Sequence, residues 1–222
     1  MKKSSLFQVA LSELETKFAA ASSGFRTRNF MQYAEQKYNL IREHGWLKAH
    51  ITVGVRINVI TAPRVTENTG EGSAEGRNFV SLMQKTHELG FKVEEVSADK
   101  AYSSRDSMNL IDEMGGVPYI PFKSNSTGKP RGNNHIWRKI YAMFMLRKEE
   151  FEAHYHLRSN VETTFSAWEL KFSDFLKSKS LIAQKNKLFC KAIAYNITVL
   201  IHEMFELGIK PDFLVEPLSI VL

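Results

Sequence analysis

Cysteine is nearly missing from this chain. A single residue, Cys190, among 222 excludes an internal disulfide and any multi-cysteine zinc site, and it points to a reducing, cytoplasmic setting. Set among helix-forming residues with no triad spacing around it, it reads as core filler rather than a nucleophile. Long apolar runs are missing too: 192–200 is broken by Tyr195, Asn196 and Thr198, well short of the about 18 residues a bilayer span needs, so no membrane partner is expected. Lys2 and Lys3 carry the charge of a secretory leader, but Gln8, Ser12 and Glu13 interrupt the apolar stretch that should follow. The low hydrophobicity of a disordered chain is likewise absent. Hydrophobic residues make up 43% and charged residues 24% of the sequence, enough to build a core. What is in surplus is positive charge: 30 Lys and Arg against 24 Asp and Glu, net +6, which favours a polyanionic partner.

The length suits one fairly large domain. Leu6, Val9, Ala10 and Leu14 fall at near-helical spacing, predicting a short amphipathic helix over 5–17. The small-residue run 18–23 reads as a strand or turn ending at Gly24, and the mixed stretch 30–43 ends at Gly45. From Trp46, Leu47, Ala49, Ile51, Val53, Val55 and Ile57 recur at period two, the signature of a strand. A second β-rich run, 59–62, follows across Asn58, so a hairpin is expected. Phe79, Val80, Leu82, Met83 and Leu89 predict a helix over 75–89, closed by Gly90. Residues 91–98 read as a strand that leads straight into Asp99. Ser103, Ser104 and Asp106 open a helix that runs to Met114 and stops at Gly115-Gly116. Two prolines make 117–122 a short edge strand. A Gly/Ser/Asn/Lys loop over 123–135 then precedes a stretch, 137–208, that reads as helix throughout. This order predicts an α/β or α+β layered domain with a mixed sheet of about five strands.

An acid at the carboxyl end of a strand is where open α/β sheets hold functional groups. Asp99 has that position, although capping the next turn is an equally simple use. On a helix read over 147–172, Val161, Phe165, Trp168 and Phe172 form an apolar stripe, and Tyr155, Arg158 and Glu162 cluster along one edge of it. A surface ion pair between Arg158 and Glu162 is the plain alternative. Two carboxylates converging from different elements are what a Mg²⁺ site for phosphoryl transfer requires, with Arg158 or Lys100 holding a phosphate. His154 and His156 point apart on a helix, so no shared metal is expected.

Three segments carry a resemblance: Val96-Ser97-Ala98-Asp99-Lys100-Ala101-Tyr102, Ile120-Pro121-Phe122-Lys123-Ser124-Asn125, and His154-Tyr155-His156-Leu157-Arg158-Ser159-Asn160-Val161-Glu162-Thr163-Thr164-Phe165-Ser166. Together they resemble bacterial insertion-sequence transposases of the DDE type, whose catalytic domain is ribonuclease-H-like. The likeness runs from about Leu6 to Gly208, and its most specific part is Tyr155, Arg158 and Glu162, at the spacing of a Tyr-x2-Arg-x3-Glu signature. The resemblance implies that Asp99 and Glu162 are the second and third acids and ligate Mg²⁺, or Mn²⁺ in its place. The implied chemistry is cleavage and strand transfer of DNA phosphodiesters, with Tyr155 and Arg158 orienting or contacting DNA. The implied partners are DNA, as element ends and target, and a second copy of the chain, in a nucleoid-associated setting. On this reading 1–210 is one catalytic core, with an insertion loop at about 123–136 and a helical part at 137–208, followed by an irregular tail over 211–222. The DNA contacts are then Lys100, Lys123, Lys129, Arg131, Trp137, Arg138 and Lys139. Backbone binding needs charge on an adaptable surface, and an aromatic ring can stack on an unpaired base. A second basic set, Lys177, Lys179, Lys185, Lys187 and Lys191, reads equally as a solvated helix face.

The same likeness exposes departures. The first acid should stand in a segment resembling Ala-Val-Asp-Ser-Ser-Gly-Phe, and here Ala19-Ala20-Ala21-Ser22-Ser23-Gly24-Phe25 holds Ala21 in its place. The signature's lysine position is Glu169, and Lys171 lies roughly 180° from Glu162 on a helical wheel. Only a short stretch precedes Ala21, so the expectation is a core truncated at its amino end. A methyl group neither coordinates a divalent ion nor repays its desolvation. Catalysis is therefore expected to be defective unless Glu13, Glu15 or Glu43 substitutes, and the alternative is a non-catalytic DNA-binding remnant that represses or competes with an intact copy. A structure-specific nuclease is a weaker third reading.

Overall fold

The computed structural model describes residues 14–27, 45–67, 75–129, 135–206 and 208. Its centre is β1 (Lys17–Arg26), a strand of small residues that is covered on both faces. Ala19, Ala20 and Ala21 let helices approach closely from either side, and Phe18 and Phe25 fill the two ends. β2 (Trp46–Gly54) and β3 (Ile60–Glu67) form the expected hairpin, with Asn58 in the turn at φ 56. α1 (Glu75–Glu88) follows, closed by Gly90 at φ 91, a conformation that costs glycine little. β4 (Glu95–Ala98) is shorter than its apolar run: Phe91 and Val93 enter the core without joining the ladder. A single 3₁₀ turn, Lys100–Tyr102, leads to α2 (Arg105–Glu113), whose cap is Ser104 accepting from the Ser107 amide. β5 (Val117–Tyr119) ends the sheet.

The sheet order is β3-β2-β1-β4-β5, with β2 antiparallel to both its neighbours and β4 and β5 parallel to β1. That is the mixed five-stranded α/β arrangement expected of a ribonuclease-H-like domain. One face packs Phe18, Ala20, Val96 and Ala98 against α1 and α2. The other packs Ala19, Ala21, Phe25, Leu47 and Ile51 against two later helices.

The stretch read as continuous helix is in fact four helices. α3 (His135–Leu146) and α4 (Lys148–Tyr155) meet at Arg147, a 3₁₀ turn spans His156–Arg158, and α5 (Ser159–Phe172) ends at Ser173, whose φ is 64. The chain then leaves the helical path to extend the sheet: the Arg26 amide donates to the Asp174 carbonyl at 2.9 Å and the Leu176 amide to the Arg26 carbonyl at 2.8 Å. α6 (Leu181–Glu206) is the last described element.

Two further expectations are corrected here. Cys190 is exposed rather than core filler. On α6, Ile193, Ile197, Leu200, Ile201 and Met204 form a row whose spacing predicts packing on the sheet, yet Ile193, Ile197 and Ile201 face outward, and it is Leu188, Ala192 and Tyr195 that pack there. α6 is long and apolar enough by length and composition to cross a membrane, most of it unburied, a property that a search for unbroken runs does not find. Asn196 nevertheless fastens it to β3, accepting from the Ile60 amide at 2.9 Å and donating to its carbonyl at 2.8 Å. The helix read over 5–17 lies outside the described residues up to residue 13, and Lys17 already belongs to β1. The stretch 30–43 and the tail 211–222 also lie outside the described residues.

Candidate functional site

β1 and β4 run parallel with Ala20 opposite Ala98. One residue further along both, Ala21 comes beside Asp99, which keeps an extended backbone (φ −66, ψ 157) at the N-cap of the 3₁₀ turn. Its side chain makes no capping hydrogen bond, so the structural use weighed for it is not the one it has. It turns instead to Arg158, whose Nη2 is 3.5 Å from Asp99 Oδ2. The same nitrogen donates to Glu162 Oε1 at 2.7 Å. The guanidinium also lies 6.0 Å from the Tyr155 ring centroid. Four residues read from the sequence, Asp99, Tyr155, Arg158 and Glu162, therefore meet in space, with Ala21 beside them in the cluster that holds Val161 and Phe165.

The break in the helix creates this geometry. The 3₁₀ turn ends on Arg158 and rests on β1 and β4, which lets the arginine side chain reach Asp99 while Glu162 follows one turn into α5. A second contact anchors the segment: His154 Nδ1 lies 2.7 Å from Glu95 Oε1, its ring stacks on Tyr119 at 4.3 Å, and its carbonyl accepts from Ser97 Oγ at 3.2 Å. His156 points the other way, into solvent. The side chains of Asp99 and Glu162 are 42% and 57% exposed. Ion pairs so open to water add about 0–1 kcal/mol to folding, so what the cluster offers is charge that a ligand can reach.

Carboxylate oxygens are the right donors for Mg²⁺ or Mn²⁺, but the set here is incomplete. Ala21 supplies no oxygen, and one arginine already bridges the two carboxylates. Among the described residues no three His, Cys, Asp or Glu side chains are grouped to hold a metal. The residues present do not fit a two-metal site. Of the substitute acids weighed, Glu13 and Glu43 lie outside the described residues. Glu15 sits at the opposite end of β1, where its Oε2 accepts from the amides of Arg56 at 2.9 Å and Ile57 at 3.1 Å. Burial raises its pKa above the ordinary value despite those bonds.

The acid that sequence reasoning missed is Glu75, in the first turn of α1. Its Oε1 accepts from Ser22 Oγ at 3.1 Å, next to Ala21, and pairs with the Lys48 ammonium. Burial opposes its charge, but the Lys48 and Ser22 contacts more than offset this and hold the carboxyl below its usual range. Tyr102 is buried nearby, its phenol pushed up by burial and, more weakly, by the charges of Glu75 and Asp99. Its hydroxyl approaches Ser22 without closing a hydrogen bond. An acid opening a helix is too common a pattern to have singled out Glu75.

Lys100, Lys123 and Lys129 are exposed, as are Arg138 and Lys139 on α3; Arg131 lies outside the described residues. Lys100 and Lys123 line a cleft of about 420 Å³ together with Phe122, Tyr141 and Phe144. Trp137 does not offer its ring to a base. It is 5% exposed, lies under Arg105 at 4.5 Å, packs on Phe122 at 4.8 Å, and donates Nε1 to the Thr127 carbonyl at 2.8 Å. Trp137 and Arg105, which binds the Lys129 carbonyl at 3.1 Å, thus hold the basic loop from beneath. At the signature's lysine position, Glu169 accepts from Ser23 Oγ at 3.0 Å, and Lys171 reaches away to Thr198 at 3.3 Å.

A sheet in this order, with an acid at the end of β4 facing a second on the helix across it, defines the ribonuclease-H-like class. A family model of the transposase DDE domain matches residues 15–197, and the chain belongs to that family, whose work is DNA transposition. No curated protein and no solved structure matches the chain. Membership implies DNA binding and, in general, use of a divalent metal.

Proposed function

We propose that this domain binds the DNA of an insertion sequence, element ends and target alike, but is defective in Mg²⁺- or Mn²⁺-dependent cleavage and strand transfer. The observation that carries this reading is the parallel register of Ala20 with Ala98, which sets the next residues, Ala21 and Asp99, level with each other, so that the strand position best set to complete the acid cluster holds a methyl group. On this reading Asp99 and Glu162 are the retained acids of the family's metal set, short of the ligand at position 21 that a two-ion site needs. Arg158, positioned by its contacts to both, keeps a guanidinium ready for a DNA phosphate, and Tyr155 orients it. Lys100, Lys123, Lys129, Arg138 and Lys139, with Arg131, supply backbone contacts. Two copies act together at the nucleoid, in a catalytic core spanning 1–210. The exposure of these lysines supports DNA binding without chemistry, so the chain competes with an intact transposase for its sites.

The test is nicking of element-end DNA with Mg²⁺ or Mn²⁺. Purified protein is expected to bind without cutting, and Ala21→Asp to gain cleavage. Wild-type cutting at the level of Ala21→Asp overturns the reading.

A further inference from the structure

The acid cluster already contains a cation of its own. Arg158 reaches Asp99 and Glu162 through one nitrogen, Nη2, at 3.5 and 2.7 Å. A guanidinium thus bridges a carboxylate at the end of β4 and one on α5, as a divalent ion would. Neither contact uses Nη1, and Nε is buried without a hydrogen-bond partner. Arginine carries five N–H donors in a fixed fork, and the bridge leaves part of that fork open. The Nη1 donors can serve a third anion if the surroundings do not repel it.

Position 21 decides whether they do. With alanine there, two acids, Asp99 and Glu162, face two bases, Arg158 and Lys100, the residue that follows Asp99. Of the other acids bonded to this half of β1, Glu75 is matched by Lys48, and Glu169 lies two turns along α5 on Ser23. A carboxylate at position 21 would leave the cluster with a net negative charge. Because Ala21 is only 8% exposed, water would screen that charge weakly. A phosphate would then be repelled until a divalent ion cancelled the excess. With a methyl group the excess is absent, and so is the pull on an ion, which would have to shed water and displace Arg158 for only two carboxylates open to solvent.

We infer that Arg158 takes the place of the ion in this chain, so that the cluster grips a DNA phosphate without divalent metal and more tightly than it would with an acid at position 21. The inference rests on reading the chain as a DNA binder and goes beyond the loss of cleavage. The methyl group that removes the chemistry strengthens the hold.

Phosphate contacts are independent of sequence, so the probe is a fluorescein-labelled duplex oligonucleotide of mixed sequence. Anisotropy is read at about pH 8, where carboxylates are ionised, in EDTA and in Mg²⁺ at equal ionic strength. Wild type is expected to bind no more tightly in Mg²⁺ than in EDTA. Ala21→Asp should bind about tenfold more weakly in EDTA and regain its affinity in Mg²⁺, a recovery that a misfolded variant would not show. Glu162→Gln, at an exposed position, supplies a second test should Ala21→Asp fail to fold: with one acid fewer, binding in EDTA should tighten. Wild-type affinity that rises steeply with Mg²⁺ overturns the inference. So does Ala21→Asp binding like wild type in EDTA, or Glu162→Gln binding more weakly than wild type. Each of these results leaves the DNA reading standing, whereas wild type that binds in neither buffer refutes that reading and the inference together.

Discussion

Position 21 is nearly closed to solvent, with Val161 and Phe165 in the same cluster and Asp99 beside it. A carboxylate introduced there loses its hydration next to another carboxylate, and without metal Ala21→Asp is expected to cost on the order of 1–3 kcal/mol. Added Mg²⁺ should recover part of that loss in Ala21→Asp and leave the wild-type melting temperature unmoved. Thermal unfolding with and without Mg²⁺ decides it, and an equal rise in both proteins would count against the missing ligand. His50 makes a separate prediction. It is fully buried, with Nε2 at 3.0 Å from Thr66 Oγ1. Burial first, and the Lys48 charge second, push its pKa from 6.5 down to about 4, against a weaker opposing pull from Glu75. The unfolded chain takes the proton first as pH falls, so the contribution of neutral His50 is whole above pH 6.5 and is lost on the way down to about pH 4. The loss amounts to on the order of 3 kcal/mol. Denaturant midpoints across that window should fall, and His50→Gln should flatten the fall.

Among the elements, the segment from α4 into α5 depends on being fixed to β4. Glu95 is buried between Lys17 at 2.9 Å and His154 at 2.7 Å. Glu95→Ala is expected to cost about 1.5–3 kcal/mol and Glu95→Gln less, measured by denaturant unfolding; equal losses would show that the charge is irrelevant. Trp137→Ala should cost about 3–5 kcal/mol as a core truncation, a loss that a surface base-stacking residue would not give. These elements also show what local pattern can convey. Period two across Asn58, the serine cap at Ser104 and the glycine stop at Gly90 are decided by nearest neighbours, and they were legible. The spacing of the Tyr-Arg-Glu segment likewise groups Arg158 with Glu162, whereas their meeting with Asp99 follows from the resemblance and from no local pattern. Which side of α6 packs was not legible. Its helical wheel carries two apolar stripes, and the sheet takes the one with Leu188, Ala192 and Tyr195 while the richer isoleucine row faces out. Trp137 was placed in the DNA interface and Glu75 passed over for a like reason, since Arg105 and Ser22, which hold them, are distant in sequence.

Across the whole molecule, the net charge of +6 includes Lys100, Lys123 and Lys129, exposed on the loops beyond β4 and β5, with Lys100, the residue after Asp99, sharing one cleft with Lys123. If these carry DNA, Lys123→Ala and Lys129→Ala should each lower the slope of log affinity against log salt by about one. Titrations at several salt concentrations measure this, and an unchanged slope removes the loop from the interface. One feature of the sheet bears on the molecule's motions. β4 stops opposite Ala20, and among the described residues nothing pairs with that side of β1 again until the bridge from Arg26 to Phe175. The strand is thus zipped on two sides in its first half and on one side in its second, with position 21 at the join. Backbone amides beyond the join should trade their hydrogens for deuterium sooner than those before it. The half of the strand next to the acids is therefore the half that yields first, leaving room there for a bound chain to settle.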